Sequence, residues 1–85
     1  MKTLTSKPFD KDYQSLPEKI QNLTNGKLRL LLQNPHHPSL RIKKMEDPRE
    51  IWEGRITKNY RFTFQIKGDT YVLRRIGPHD ILKTP

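Results

Sequence analysis

The chain has no cysteine, which excludes disulfide staples, thiolate zinc sites and a cysteine nucleophile. Apolar residues fill only 32% of its 85 positions and aromatic residues 8%, and mean hydropathy is -0.92. The core is therefore small: a chain of this length buries about 60–65% of its unfolded surface and is marginally stable. No stretch approaches the roughly 20 apolar residues of a membrane span, and no apolar run follows Met1 and Lys2 as a signal peptide requires. The expectation is a soluble, cytoplasmic protein with no membrane partner. Repeats, low-complexity tracts and linkers are absent as well. Ordinary domains run to roughly 100–150 residues, so residues 1–85 are expected to form a single domain. Acidic residues are also scarce, 9 Asp and Glu against 17 Lys and Arg, for a net charge of +8. That surplus points to a polyanionic partner, either nucleic acid or an acidic protein.

The pattern that is present changes once, near residue 35. Ser6 suits a helix cap and Pro8 a first helical turn, and Phe9, Tyr13 and Leu16 follow at i, i+4 and i+7, one face of a helix. Leu16-Pro17 breaks that helix, and Pro17-Glu18 opens a second, whose Ile20, Leu23, Leu30 and Leu31 are expected to share a face. Asn25-Gly26 inside it costs about 1 kcal/mol or marks a break, and Asn34-Pro35 ends it. Beyond residue 39 the period becomes two. Leu40 and Ile42 alternate with Arg41 and Lys43, Asp47-Pro48-Arg49 makes a turn, and Trp52, Gly54 and Ile56 alternate with Glu53, Arg55 and Thr57. Tyr60, Phe62, Phe64 and Ile66 alternate with Arg61, Thr63, Gln65 and Lys67, Gly68-Asp69 is a two-residue hairpin turn, and Thr70 to Ile76 forms a last strand. The expected fold is α+β: an N-terminal helical hairpin packed on one face of a twisted antiparallel sheet of about four strands.

Register follows from which pairing keeps charge out of the core, since a one-residue slip reverses every side chain. A two-residue turn at Lys58-Asn59 would set Arg55 opposite Phe62. A three-residue turn, Thr57-Lys58-Asn59, instead pairs Trp52 with Phe64, Ile56 with Tyr60 and Arg55 with Arg61, with Asn59 tolerating the left-handed third position. The next hairpin pairs Ile66 with Tyr71, Phe64 with Leu73 and Thr63 with Arg74. One face then carries Trp52, Ile56, Phe62, Phe64, Ile66 and Leu73, to be covered by the helices. The other carries Glu53, Arg55, Arg61, Thr63 and Arg74, with no element left to cover it. Arg55 directly opposite Arg61 destabilises the pair by up to about 1 kcal/mol, so this face is either solvated or built for an anion.

Guanidinium forks match phosphate geometry, and clustered arginines stabilise charge that develops on a phosphate. The segment Gly77-Pro78-His79-Asp80 leaves the last strand beside them, which makes His79 the natural general acid or base and Glu53 a candidate partner base. Lys43 and Lys44 extend the basic surface and, with Arg74, are candidate phosphate contacts. His36-His37 lie between prolines without further ligands at metal spacing and are expected to form a stiff polar loop. Trp52 and the phenylalanines fit a core, and Thr57 and Thr63 have no base to activate them. Walker, GxGxxG and HExxH motifs are absent.

The order of helix, helix and four strands accompanies Phe9…Asp12-Tyr13…Leu16-Pro17, Leu40-Arg41…Lys44-Met45, Ile51-Trp52-Glu53-Gly54-Arg55-Ile56, Asn59-Tyr60-Arg61-Phe62-Thr63-Phe64 and Ile76-Gly77-Pro78-His79-Asp80-Ile81-Leu82. Over nearly its whole length the chain thereby resembles the RelE/ParE toxin superfamily, and its RelE-like branch in particular. The resemblance implies the toxin of a type II toxin–antitoxin pair, held in a hetero-oligomer by a cognate antitoxin that wraps it. RelE-like members are endoribonucleases that cut mRNA on the ribosome, whereas ParE-like members attack DNA gyrase and lack the ribonuclease residues. Carried over, Arg61 would bind the scissile phosphate, Glu53 and Arg55 would stand at the positions where some members carry two lysines, and His79 would follow the last strand. The implied reaction is attack by the RNA 2′-hydroxyl on the adjacent phosphate, with no cofactor or metal called for. A gyrase-inhibiting toxin without nuclease activity and an inactive basic RNA-binding relative are the alternatives.

Overall fold

The computed structural model describes residues 1–85, in the order β1 (Lys2–Thr5), α1 (Lys7–Gln14), α2 (Glu18–Gln33), β2 (Lys43–Lys44), β3 (Trp52–Arg55), β4 (Tyr60–Lys67) and β5 (Thr70–Pro78). Short 3₁₀ turns occupy Pro38–Leu40 and His79–Lys83. The strands form one five-stranded sheet in the order β1-β5-β4-β3-β2, with β1 parallel to β5 and the other pairs antiparallel. The expected antiparallel sheet of four strands is thus a mixed sheet of five. β1 escaped the periodicity argument because all four of its residues are exposed. An edge strand that buries no side chain leaves no apolar alternation to detect.

Both helices begin and end where their local chemistry directs. Ser6 caps α1, its Oγ accepting from the Phe9 N–H at 3.3 Å, and Phe9 and Leu16 are buried. α2 starts after Pro17, stops at Asn34 and runs unbroken through Asn25-Gly26. Its inward stripe is Ile20, Thr24, Leu28 and Leu31, not the expected Leu23, which is 40% exposed. Thr24 escapes an apolar search, yet it is fully buried because its hydroxyl donates to the Ile20 carbonyl at 2.7 Å.

The strand expected from Leu40 shortens to Lys43–Lys44, because Arg41 takes a left-handed conformation (φ 45) and interrupts the extended chain. The following loop is closed by Asp47, whose carboxylate accepts from the Arg49 backbone and guanidinium. Those bonds hold its carboxyl down at about 2.

The β3–β4 register is the one expected from the three-residue turn: Trp52 opposite Phe64 and Arg55 opposite Arg61. Gly54 lies opposite Phe62 in that register, and a Cβ there would run into the Cε1 and Cζ atoms of the Phe62 ring. Phe62 is fully buried and has nowhere to retreat. Gly54→Ala is expected to cost about 2 kcal/mol, the usual penalty for overpacking a tight core, read as a lower urea midpoint at unchanged slope.

The β4–β5 hairpin departs from strict alternation. Phe64 sits opposite Leu73 but Thr63 sits opposite Arg75, so Arg74 is an extra residue, a β-bulge. The expected pairing of Thr63 with Arg74 is therefore corrected by one position. The bulge lets Leu73 and Ile76, three positions apart, both point into the core, at 0% and 1% exposure. It also keeps Arg75 out of that core. Ile66, assigned to the core by alternation, is 47% exposed instead, because it lies at the turn end of β4.

The face opposite the helices is not open along its whole length. The chain beyond β5 folds back over it, and Thr63 becomes fully buried with its hydroxyl 3.4 Å from the Pro85 carbonyl. Ile81, from the 3₁₀ turn, is buried as well. The expectation that nothing covered this face failed because the short segment after residue 78 carries too few apolar residues to announce itself.

Candidate phosphate-binding face

The backbone positions of Arg55, Arg61 and His79 lie at one end of the sheet. Arg55 faces Arg61, Arg61 faces Gly77, and the His79 N–H donates to the Asn59 carbonyl at 3.1 Å. Glu53 lies one register step inward, flanked by Thr63 on β4 and Lys43 on β2. Glu53, Arg55 and Arg61 are half-buried, and His79 is exposed. The ion pairs of the chain are Lys44–Glu50, Arg49–Asp47 and Arg75–Asp12. None of them neutralises Arg55 or Arg61, so two like charges stand opposite each other without a carboxylate between them.

Arg61 has a structural task too. Its Nη1 donates to the carbonyls of Thr57, Lys58 and Tyr60, at 2.6, 2.9 and 3.2 Å. The guanidinium thus ties down the hairpin loop through one nitrogen, and the Nε and Nη2 edge is left for another acceptor. A guanidinium anchored in this way is pre-oriented, and it loses little freedom when an anion arrives.

The remaining candidates divide. Successive strand residues point to opposite faces, so Lys43 shares the face of Glu53 whereas Lys44 pairs with Trp52 on the other. Lys44 Nζ lies 5.9 Å from the Trp52 ring centroid and 3.5 Å from Glu50, occupied away from the arginines. Lys43 and Lys44 therefore do not extend one and the same face. Arg74 is on the arginine face but farther along it, bonded to Gln65 and to the Pro85 carbonyl.

The histidine loop is polar and internally bonded. His37 Nδ1 accepts from the Ser39 N–H at 3.1 Å and lies 2.9 Å from Ser39 Oγ, which in turn accepts from Lys27 Nζ at 3.0 Å.

Sequence periodicity missed Arg75. Its Nε donates to Asp12 Oδ2 at 2.6 Å and its Nη2 to Oδ1 at 3.2 Å. That hydrogen-bonded pair raises the guanidinium's affinity for its proton, and burial opposes the rise only partly. A signal was available: Leu73-Arg74-Arg75-Ile76 spaces two apolar residues three apart, which a regular strand cannot bury on one face.

No protein-family model and no curated protein matches the chain. Solved structures do. YafQ from E. coli superposes with a TM-score of 0.78 over 94% of both chains at 14% identity. The YoeB/ParE toxin from Agrobacterium tumefaciens gives 0.77 over 93% of this chain and 99% of its own, at 19% identity. This is the RelE/ParE toxin fold. RelE from Methanococcus jannaschii, solved in a RelB–RelE antitoxin–toxin complex, shares it at a TM-score of 0.71 and 24% identity, over 95% of each chain. No helix of the chain is long and apolar enough to cross a membrane.

Proposed function

We propose that the chain is the toxin of a type II toxin–antitoxin pair and an endoribonuclease that cuts mRNA on the ribosome. The observation that carries this reading is Arg55 facing Arg61 with no neutralising carboxylate, beside the segment that bears His79. A single-domain chain with this arrangement has what the reaction needs. Arg61, through its free edge, and Arg55 hold the scissile phosphate and stabilise the charge of its five-coordinate transition state. The RNA 2′-oxygen forms the new bond to phosphorus, and its proton passes to Glu53. The bond to the 5′-oxygen breaks, and His79 supplies the proton that oxygen needs. The products are a 2′,3′-cyclic phosphate and a 5′-hydroxyl, with no cofactor or metal in the scheme. Lys43, beside Glu53, adds positive charge along the RNA path.

The proposed partner is an acidic, amphipathic antitoxin. Exposed Ile66 and the groove between Leu31, Trp52 and Tyr71 give it an apolar surface rimmed by Arg41. The neighbours solved as toxin–antitoxin complexes support an antitoxin partner, whatever its chemistry.

Purified protein added to a translation extract is expected to cleave mRNA within the translated region. Intact mRNA together with inhibited DNA supercoiling by gyrase would replace the nuclease reading with a gyrase-directed one. Tight, salt-sensitive RNA binding without cleavage would leave only a basic RNA-binding relative.

A further inference from the structure

We infer that Thr57 is a positioning residue for His79: its hydroxyl shapes the β3–β4 loop that holds His79 in place relative to Arg61. The inference rests on the nuclease reading of the same face. It gives Thr57 a part in that reaction without any contact to substrate.

Side chains, rather than backbone chemistry, close this loop. A three-residue hairpin loop ordinarily turns on a left-handed residue at its third position. The expected left-handed residue, Asn59, is not one, since the non-glycine residues with positive φ are Arg41 and Glu50. Thr57 Oγ1 instead accepts from the Asn59 N–H at 3.3 Å and from the Tyr60 N–H at 3.2 Å. A threonine hydroxyl that bonds to the backbone two and three residues on stands in for a backbone turn. The Ile56 and Thr57 N–H groups complete the closure, donating to the Tyr60 carbonyl at 3.0 and 3.3 Å.

The loop so formed is bonded to both reacting groups. On one side Arg61 Nη1 donates to the Thr57 and Lys58 carbonyls, at 2.6 and 2.9 Å. On the other, the Asn59 carbonyl accepts from the His79 N–H at 3.1 Å. Pro78 has no N–H to offer, so the His79 amide is the donor that joins the start of the 3₁₀ turn to the loop. Asn59 is thus held by the Thr57 hydroxyl through its N–H and holds His79 through its carbonyl. Lys58 and Asn59 are exposed, so hydrogen bonds and not packing fix their positions. Without the hydroxyl, the Asn59 and Tyr60 N–H groups turn to water and the anchor of His79 is released. Arg61 keeps its bonds to the loop carbonyls, and the proton donor alone is misplaced.

The test compares Thr57→Val, which removes the hydroxyl at nearly the same shape, with Thr57→Ser, which keeps it. Single-turnover cleavage of mRNA on translating ribosomes is expected to slow about 10–100-fold in Thr57→Val, the scale of a misplacement near 1 Å. Thr57→Ser should cleave close to the wild-type rate. Affinity for an uncleavable 2′-O-methyl oligonucleotide should be unchanged in both, because Arg55 and Arg61 remain. In a His79→Ala background Thr57→Val should have little further effect, since the group it misplaces is gone.

Amide hydrogen exchange of the same variants reads the linkage without any cleavage. In Thr57→Val the His79 amide should exchange about ten-fold faster, the worth of one hydrogen bond, while the Phe62 and Phe64 amides keep their protection. An unchanged His79 amide overturns the inference, and so does a cleavage loss that is equal with and without His79. Absence of cleavage by the wild-type protein, with the His79 amide loosened in Thr57→Val, overturns the nuclease reading and leaves the loop linkage standing.

Discussion

Replacing His79 with alanine is expected to slow mRNA cleavage by about 10²–10⁴-fold, the usual contribution of a positioned general acid or base. The side chain is exposed and makes no hydrogen bond within the protein; the residue is held through its backbone N–H, which donates to the Asn59 carbonyl. Thermal stability should therefore be unchanged, and the loss should fall on kcat rather than on RNA affinity, since Arg55 and Arg61 remain. His79→Gln keeps a hydrogen-bonding side chain but cannot give up a proton, so it should be nearly as inactive as alanine. Cleavage within a few-fold of wild type for both variants would remove His79 from the mechanism. Arg61→Ala is a less clean probe. It strips the Thr57 and Lys58 carbonyls of the Arg61 donor as well as the phosphate of its partner, so lost activity would mix chemistry with loop disorder. His79 gives the discriminating measurement.

The parts of the fold that were legible in the sequence are those whose side chains sort by burial. Phe62, Phe64 and Leu73 alternate because one face of the sheet is buried. Arg55 opposite Arg61 followed from refusing to place a charge next to Phe62, which the structure bears out. Ser6, Pro17 and Asn34 marked helix ends through local backbone chemistry that needs no tertiary contact. Three things were hidden. β1 buries nothing, so no alternation exposes it. The bulge adds one residue to β5 and reverses the phase for everything after Leu73. The covering of Thr63 depends on a contact 22 positions distant in sequence. Each is a long-range or phase effect, and the second altered the candidate site by placing Arg74 and Arg75 side by side.

That placement leads to the largest stability effect expected in the molecule. Asp12, on α1, accepts from Arg75 Nε and Nη2 and also from the Ile76 N–H, at 2.6, 3.2 and 3.2 Å. Its side chain is 18% exposed and that of Arg75 30%, so both ends of the pair are substantially withdrawn from water. Asp12→Ala leaves a half-buried guanidinium and a backbone N–H without their shared acceptor. Removing one partner of a buried pair costs about 3–5 kcal/mol, and partial exposure puts this case near the lower bound, about 3 kcal/mol. A domain of this size has a total stability of roughly 5 kcal/mol, so the variant should be substantially unfolded in modest urea. Asp12→Asn retains an oxygen for the Ile76 N–H and should lose about half as much. Arg75→Gln removes the charge together with its need for a partner, so adding Asp12→Ala to it should cost far less than Asp12→Ala alone. A double-mutant cycle read from urea midpoints would then give a coupling of about 1–3 kcal/mol. Additive losses would mean that Asp12 acts only through the Ile76 backbone. In that case the bulge, and not the ion pair, would hold α1 against β5.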